Sequence, residues 1–171
     1  MPNKGDHINY GVYGICVVED VRGIKFRSDS CERDYYVLKP VHQENTHIFV
    51  PTDSQALIEQ MRPILSSAEI DAVIAQVKDQ GMPWTSDWKQ RREQFRAILS
   101  RRDERELLQL ASCLYLQSSA DGKGLSATDA RVLKQVEEII EQEFSFSLKI
   151  NQQDIGSYIR KKLGAQELLG A

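Results

Sequence analysis

Two tryptophans and the densest run of arginine stand together in one stretch, PWTSDWKQRREQFRAILSRRDER at residues 83–105. Between residues 88 and 105 there are seven Lys or Arg (Lys89, Arg91, Arg92, Arg96, Arg101, Arg102, Arg105) against three acids (Glu93, Asp103, Glu104), a local balance of +4 in a chain whose net charge is −3. An aromatic ring at a helix start, followed by guanidinium groups, combines an apolar wedge with phosphate-pairing donors and a helix end that attracts anions. Trp88, Lys89, Arg91 and Arg92 are therefore candidate nucleic-acid contacts. The competing reading makes Trp88 a core plug and the arginines a solvated face paired with neighbouring acids. Trp84, next to Pro83, reads as packing between helices.

Other reactive residue types do not assemble into a known chemistry. His42, His47 and Cys31 lie near one another in sequence, but their spacing fits no zinc pattern and a fourth ligand is missing. Gly11 and Gly14 read as a turn, and the Gly122, Lys123, Gly124 run has no strand before it, as a phosphate loop requires. Glu137 and Glu138 belong to the solvated face of a helix. The expectation is a protein that is not an enzyme, with no cofactor, no metal and no small-molecule substrate. Cys16, Cys31 and Cys113 are odd in number and widely spaced, which is expected of free thiols in a reducing compartment.

The elements that must carry these residues follow from pattern. From Gly5 to about Pro51 the chain alternates in short strand-like runs: Ile8 to Val12, Ile15 to Val21, Ile24 to Phe26, Asp34 to Val41 and His47 to Pro51. Glycines and the polar SDSCER and HQEN runs separate them. Five short strands in so small a piece predict a strongly twisted, closed or nearly closed sheet. Asp53 or Ser54 starts a short helix, and Met61 to Leu65 around Pro63 reads as an extended return segment.

Beyond Ser66 the period becomes helical. Ser66 with Glu69, and Ser126 with Asp129, have the spacing of capping boxes, and Asp87 precedes the Trp88 helix as an N-cap. A further helix is predicted from Arg102 to Ser118, ending at the Asp121 to Gly124 turn. The Ser126 helix is predicted to run to about Ser145, with a possible last helix through Ile155, Tyr158, Ile159 and Leu163. The expected fold class is α+β: a small β-barrel over residues 1–65, then an all-α helical bundle domain over residues 66–171, with a tail from about 146.

Charge and hydropathy limit the partners. The pI of about 5.7 argues against sequence-blind coating of nucleic acid, so any DNA contact must be local and weak on its own. No apolar run reaches the roughly 18–20 residues that cross a bilayer, and the start lacks a secretory pattern, so no membrane partner and a cytoplasmic location are expected.

Four segments then carry a resemblance. GDHINYGVYGICVVEDVRGIKF is similar to the opening of the CarD family, and DYYVLKP followed by IFVP resembles its next two strands. DWKQRREQFRAILS and GLSATDARVL resemble its two most recognisable helical segments, so the similarity runs over most of residues 5–145. The resemblance implies a bacterial transcription regulator whose barrel is Tudor/SH3-like and binds the RNA polymerase β subunit and whose helical domain touches promoter DNA. It implies that Trp88 wedges into the minor groove at the upstream edge of the −10 region and stabilises the open complex. It also places Arg22, Phe49, Val50 and Pro51 on the polymerase-binding surface. Phe49 stands where a basic residue is common, Gln90 where an Arg is common, Arg92 where an aromatic is common and Glu93 where a base is common. The alternative is an adaptor that binds polymerase or another partner without engaging DNA.

Overall fold

The computed structural model describes residues 1–26, 31–43, 45–120 and 124–163, with the backbone alone at Asp79 and Leu163. The chain forms two compact units, Met1–Ile64 and Leu65–Ala171. A sheet of antiparallel strands followed by helices makes the chain α+β.

In the first unit the strands are β1 (His7–Tyr10), β2 (Ile15–Ile24), β3 (Arg33–Pro40), β4 (Ile48–Pro51) and β5 (Met61–Pro63), with a short helix α1 (Gln55–Ile58) between the last two. Their order in the sheet is β4-β3-β2-β1-β5, which leaves β4 and β5 at its edges. Pro51 and Pro63 sit on these two edge strands, where the N–H that proline lacks is not demanded by two neighbours. Ile8, Tyr10, Cys16, Val18, Tyr36, Leu38 and Val50 form the core of this unit.

The strand count agrees with the sequence pattern, but the strands differ. Ile24 is not the start of a separate strand: β2 runs through Gly23, which pairs with Asp34. The segment around Pro63, read as a return, supplies the fifth strand by pairing Tyr10 with Met61 and Ile8 with Pro63. Arg27 and the first three residues of the SDSCER run, 28–30, lie outside the described residues, as does Glu44 of HQEN.

The second unit contains α2 (Ser67–Asp79), α3 (Trp88–Arg101), α4 (Glu104–Ala120), α5 (Ala127–Leu148) and α6 (Gln152–Leu163). The helix starts follow their caps. Ser66 Oγ accepts from the Glu69 N–H while the Glu69 carboxylate accepts from the Ser66 N–H, and Ser126 Oγ accepts from the Asp129 N–H. Fully or nearly fully buried residues from all five helices share one core, among them Ile70, Phe95, Leu114, Phe144 and Ile155.

The boundary between α3 and α4 has no glycine or proline to announce it. Arg102 ends α3 in the left-handed region at φ 52°, and the Asp103 carboxylate then accepts from the Glu106 N–H to start α4. The helix predicted from Arg102 thus begins at Glu104, and α5 extends past Ser145 to Leu148. Of the predicted turn after α4, Asp121 to Lys123 lie outside the described residues, and so do residues 164–171 of the tail. Among the described residues no helix is long and apolar enough to cross a membrane.

The last helix is fastened to the first helix of its unit by a polar latch. Tyr158 Oη donates to Asp71 Oδ1 at 2.6 Å and Lys162 Nζ to Asp71 Oδ2 at 2.5 Å. The bonds from Lys162 and Tyr158 hold the Asp71 carboxyl below the usual aspartate range. A carboxylate with a lowered pKa stabilises the fold fully above its unfolded value and loses that contribution as pH falls through the folded value. The stability difference between wild type and Asp71→Asn should therefore be constant from pH 5 to 8 and shrink below about pH 4. Urea unfolding followed across that pH range measures it, and a difference that persists at low pH would contradict the latch.

Candidate functional site

The Trp88 segment is built by its N-cap. Asp87 leaves the loop in extended conformation and its Oδ1 accepts from the Lys89 and Gln90 N–H groups, both at 2.9 Å. Trp88 is then the first residue of α3 and stands 59 % exposed, while Phe95 and Ile98 on the same helix are buried in the core. A tryptophan so placed is not a core plug. Lys89 and Arg92 are exposed beside it, and the Lys89 ammonium lies 5.7 Å from the Trp88 ring centroid.

Arg91, read from the sequence as a phosphate contact, is turned toward groups of its own unit. Its guanidinium lies 4.4 Å from the Trp84 ring centroid and donates from Nη1 to the carbonyl oxygens of Thr85 (2.9 Å) and Ser86 (3.2 Å). Its Nη2 is 3.5 Å from Asp129 Oδ2, with the two side chains only 15 % and 10 % exposed. Trp84 is half-buried against the helical core, in agreement with a packing role.

The remaining basic residues of the run are also partly engaged. Arg101 makes two bonds to the Glu106 carboxylate at 2.7 and 2.9 Å, and Arg105 donates to Gln80. The local excess of +4 counted in sequence thus overstates the positive charge offered to a partner. Lys89, Arg92, Arg96, Arg101 and Arg105 are its exposed members, the last two bonded to Glu106 and Gln80, and exposed Glu93 stands among the first three.

In the first unit, strand pairing brings three of the four singled-out residues to one face. Arg22 is opposite Tyr35, which is opposite Pro51, and Phe49 is opposite Val37. Directly paired residues share a face of a sheet. The fourth, Val50, pairs with Tyr36 and is buried in the core, so its side chain is withheld from that surface and only the β4 backbone is offered.

Arg22 reaches this face because the β2–β3 ladder shifts register between Val18 and Asp20. Without that shift, simple alternation from core residue Val18 would carry positions 20 and 22 inward. Sequence reasoning also missed Phe26 and Tyr35. Phe26 packs edge-on against both Tyr35 (5.3 Å between ring centroids) and Phe49 (5.5 Å), forming an aromatic cluster in which Phe26 is exposed and Phe49 partly so. The available signal was Tyr35 on the face opposite the inward-pointing Tyr36 and Leu38.

The histidines and cysteines form no comparable site. A His47 ring nitrogen is 3.0 Å from Glu19 Oε2, and among the described residues no three His, Cys, Asp or Glu side chains converge as metal ligands. Burial pushes the Cys16 thiol up to about 11 and raises that of Cys113 as well, the opposite of activation as a nucleophile.

Residues 3–65 match the family described as CarD-like/TRCF RID domain. No curated protein matches the chain.

The exposure contrast along α3 has a direct stability consequence. Trp88→Ala should change unfolding free energy by no more than about 0.5 kcal/mol, as surface substitutions do. Phe95→Ala, which empties a core position, should cost about 3–5 kcal/mol. Chemical denaturation of the two variants checks this, and comparable losses would mean that Trp88 is packed.

Proposed function

We propose, from the match of residues 3–65 to the CarD-like/TRCF RID domain, that this is a CarD-like protein that regulates transcription initiation in the bacterial cytoplasm without catalytic activity of its own. In this reading the first unit is a Tudor-like barrel that binds the polymerase β subunit, and the helical unit contacts promoter DNA near the upstream edge of the −10 region. The observation that carries the DNA half is Trp88: a large ring exposed at a helix start, with Lys89 and Arg92 exposed beside it.

An exposed ring at that position suits insertion at a distorted base step, with the neighbouring cations on flanking phosphates. Two such cations supply little affinity. Each phosphate contact contributes about 0.9 to the slope of log binding constant against log salt, so a slope of magnitude near 2 is expected. Polymerase must therefore deliver the DNA, already bent or partly melted, and the wedge then holds the open complex.

The polymerase half is supported by the family match and by the face that carries Arg22, Phe49 and Pro51 beside the edge strand β4. An edge strand can extend its ladder with a strand of a partner, and side chains on the adjoining face select which one. The aromatic cluster of Phe26, Tyr35 and Phe49 gives this face an apolar centre, so the contact should be less salt-dependent than one built on a basic residue at position 49.

The test is the lifetime of the open complex on a promoter with matched polymerase. Wild type should lengthen it and Trp88→Ala should not. If neither changes the lifetime while polymerase still binds, the protein is the adaptor that engages no DNA. Separately, Arg22→Glu should weaken retention on immobilised polymerase, and undiminished retention would remove that face from the interface.

A further inference from the structure

Resting on the reading of Trp88 as the DNA wedge, we infer that Arg91 is a positioning residue, which with Asp129 and Trp84 clamps the start of α3 and so aims the Trp88 ring. Trp88 itself is 59 % exposed, so packing of the ring does little to hold it, and its direction must come from the first turn of α3. That turn is held from below by Asp87 and from within the unit by Arg91.

The guanidinium joins three parts of the chain. Through Nη1 it takes up the carbonyl oxygens of Thr85 and Ser86, which fixes the loop immediately before the cap. Its plane lies against Trp84, which is packed on the helical core. Through Nη2 it meets Asp129, whose carboxylate also accepts from Ser126 Oγ at 2.8 Å in the first turn of α5. Thr85 Oγ1 adds a further tie to Gln94 at 3.0 Å. The start of α3, which carries Trp88, is thereby anchored to the start of α5, the longest helix of the unit.

Only arginine can do this from position 91. Its planar fork offers donors in several directions at once and a flat face to an aromatic ring, whereas a lysine ammonium is a single point charge on a flexible stem. The pairing with Asp129 also neutralises the charge, so Arg91 adds nothing to phosphate attraction. It sits three residues after the wedge and acts on DNA only through it.

The experiment uses the full-length protein with two mild substitutions, Arg91→Lys, which keeps the charge, and Asp129→Asn, which keeps an acceptor for Ser126. In a Trp84→Phe background, whose ring still offers the guanidinium a face, Trp88 is the sole tryptophan and its steady-state fluorescence anisotropy reports its mobility. Both substitutions should lower that anisotropy while far-ultraviolet circular dichroism stays unchanged. Unchanged anisotropy would overturn the inference.

Open-complex lifetime supplies the second arm. Arg91→Lys should shorten the lifetime toward that of Trp88→Ala, and should shorten it no further when the two are combined. Additive losses, or a salt slope reduced by about 0.9 when Arg91→Gln removes the charge, would make Arg91 a direct phosphate contact and overturn the inference. If Trp88→Ala leaves the lifetime unchanged, the wedge reading fails, and the anisotropy alone then decides whether Arg91 fixes Trp88.

Discussion

The engagement of one guanidinium with a ring, two carbonyl oxygens and a shielded carboxylate organises the helical unit near its surface. Arg91 could not be this far inside the fold without Asp129, because a charge removed from water needs both a counter-charge and hydrogen bonds to its remaining donors. The loop carbonyls of Thr85 and Ser86 provide those bonds, and in return lose the freedom to move. The exposed tryptophan is a consequence of this arrangement: with Arg91 and Trp84 occupying the inner side of the α3 start, Trp88 is left facing solvent.

The two tryptophans thus take opposite places, one half-buried in the scaffold and one exposed. Trp84 supplies apolar area and a face for a cation, and so belongs to the scaffold. Trp88 stands exposed, and in the proposed function it supplies area to DNA. Leaving a ring of that size in water gives up burial energy that a core position would gain, at about 25 cal/mol for each Å² withheld. Under the proposed function, that cost is recovered when promoter DNA covers the ring.

A comparable economy operates in the small sheet. Tyr36, Leu38 and Val50 point into its core, while Tyr35 and Phe49 are carried to the other face and meet Phe26 there. The sheet is small, and using side chains on both faces of β3 gives it an interior and a contact surface from the same few residues. The basic residue Arg22 stands across from Tyr35, so charge and aromatic surface are offered together beside the edge strand β4.

What the amino-acid order determined by itself is whatever rests on neighbours a few residues apart. The caps at Ser66, Asp87 and Ser126 bond within three residues, and the apolar spacing of Phe95 and Ile98 follows from the helix period, so these were legible without any partner in view. The α+β order, the segment carrying Trp88 and the scaffold role of Trp84 were legible for the same reason. Three matters were decided only in the folded chain. Arg91 turns inward because Asp129, far along the sequence, waits on another helix. Arg22 faces outward because the ladder to β3 slips past Glu19, a shift that exists only when two strands are paired. Met61–Pro63 becomes a strand because β1 has an open edge to receive it, and no local propensity marks that. In each case the deciding bond joins residues distant in sequence, where composition and periodicity carry no information about direction.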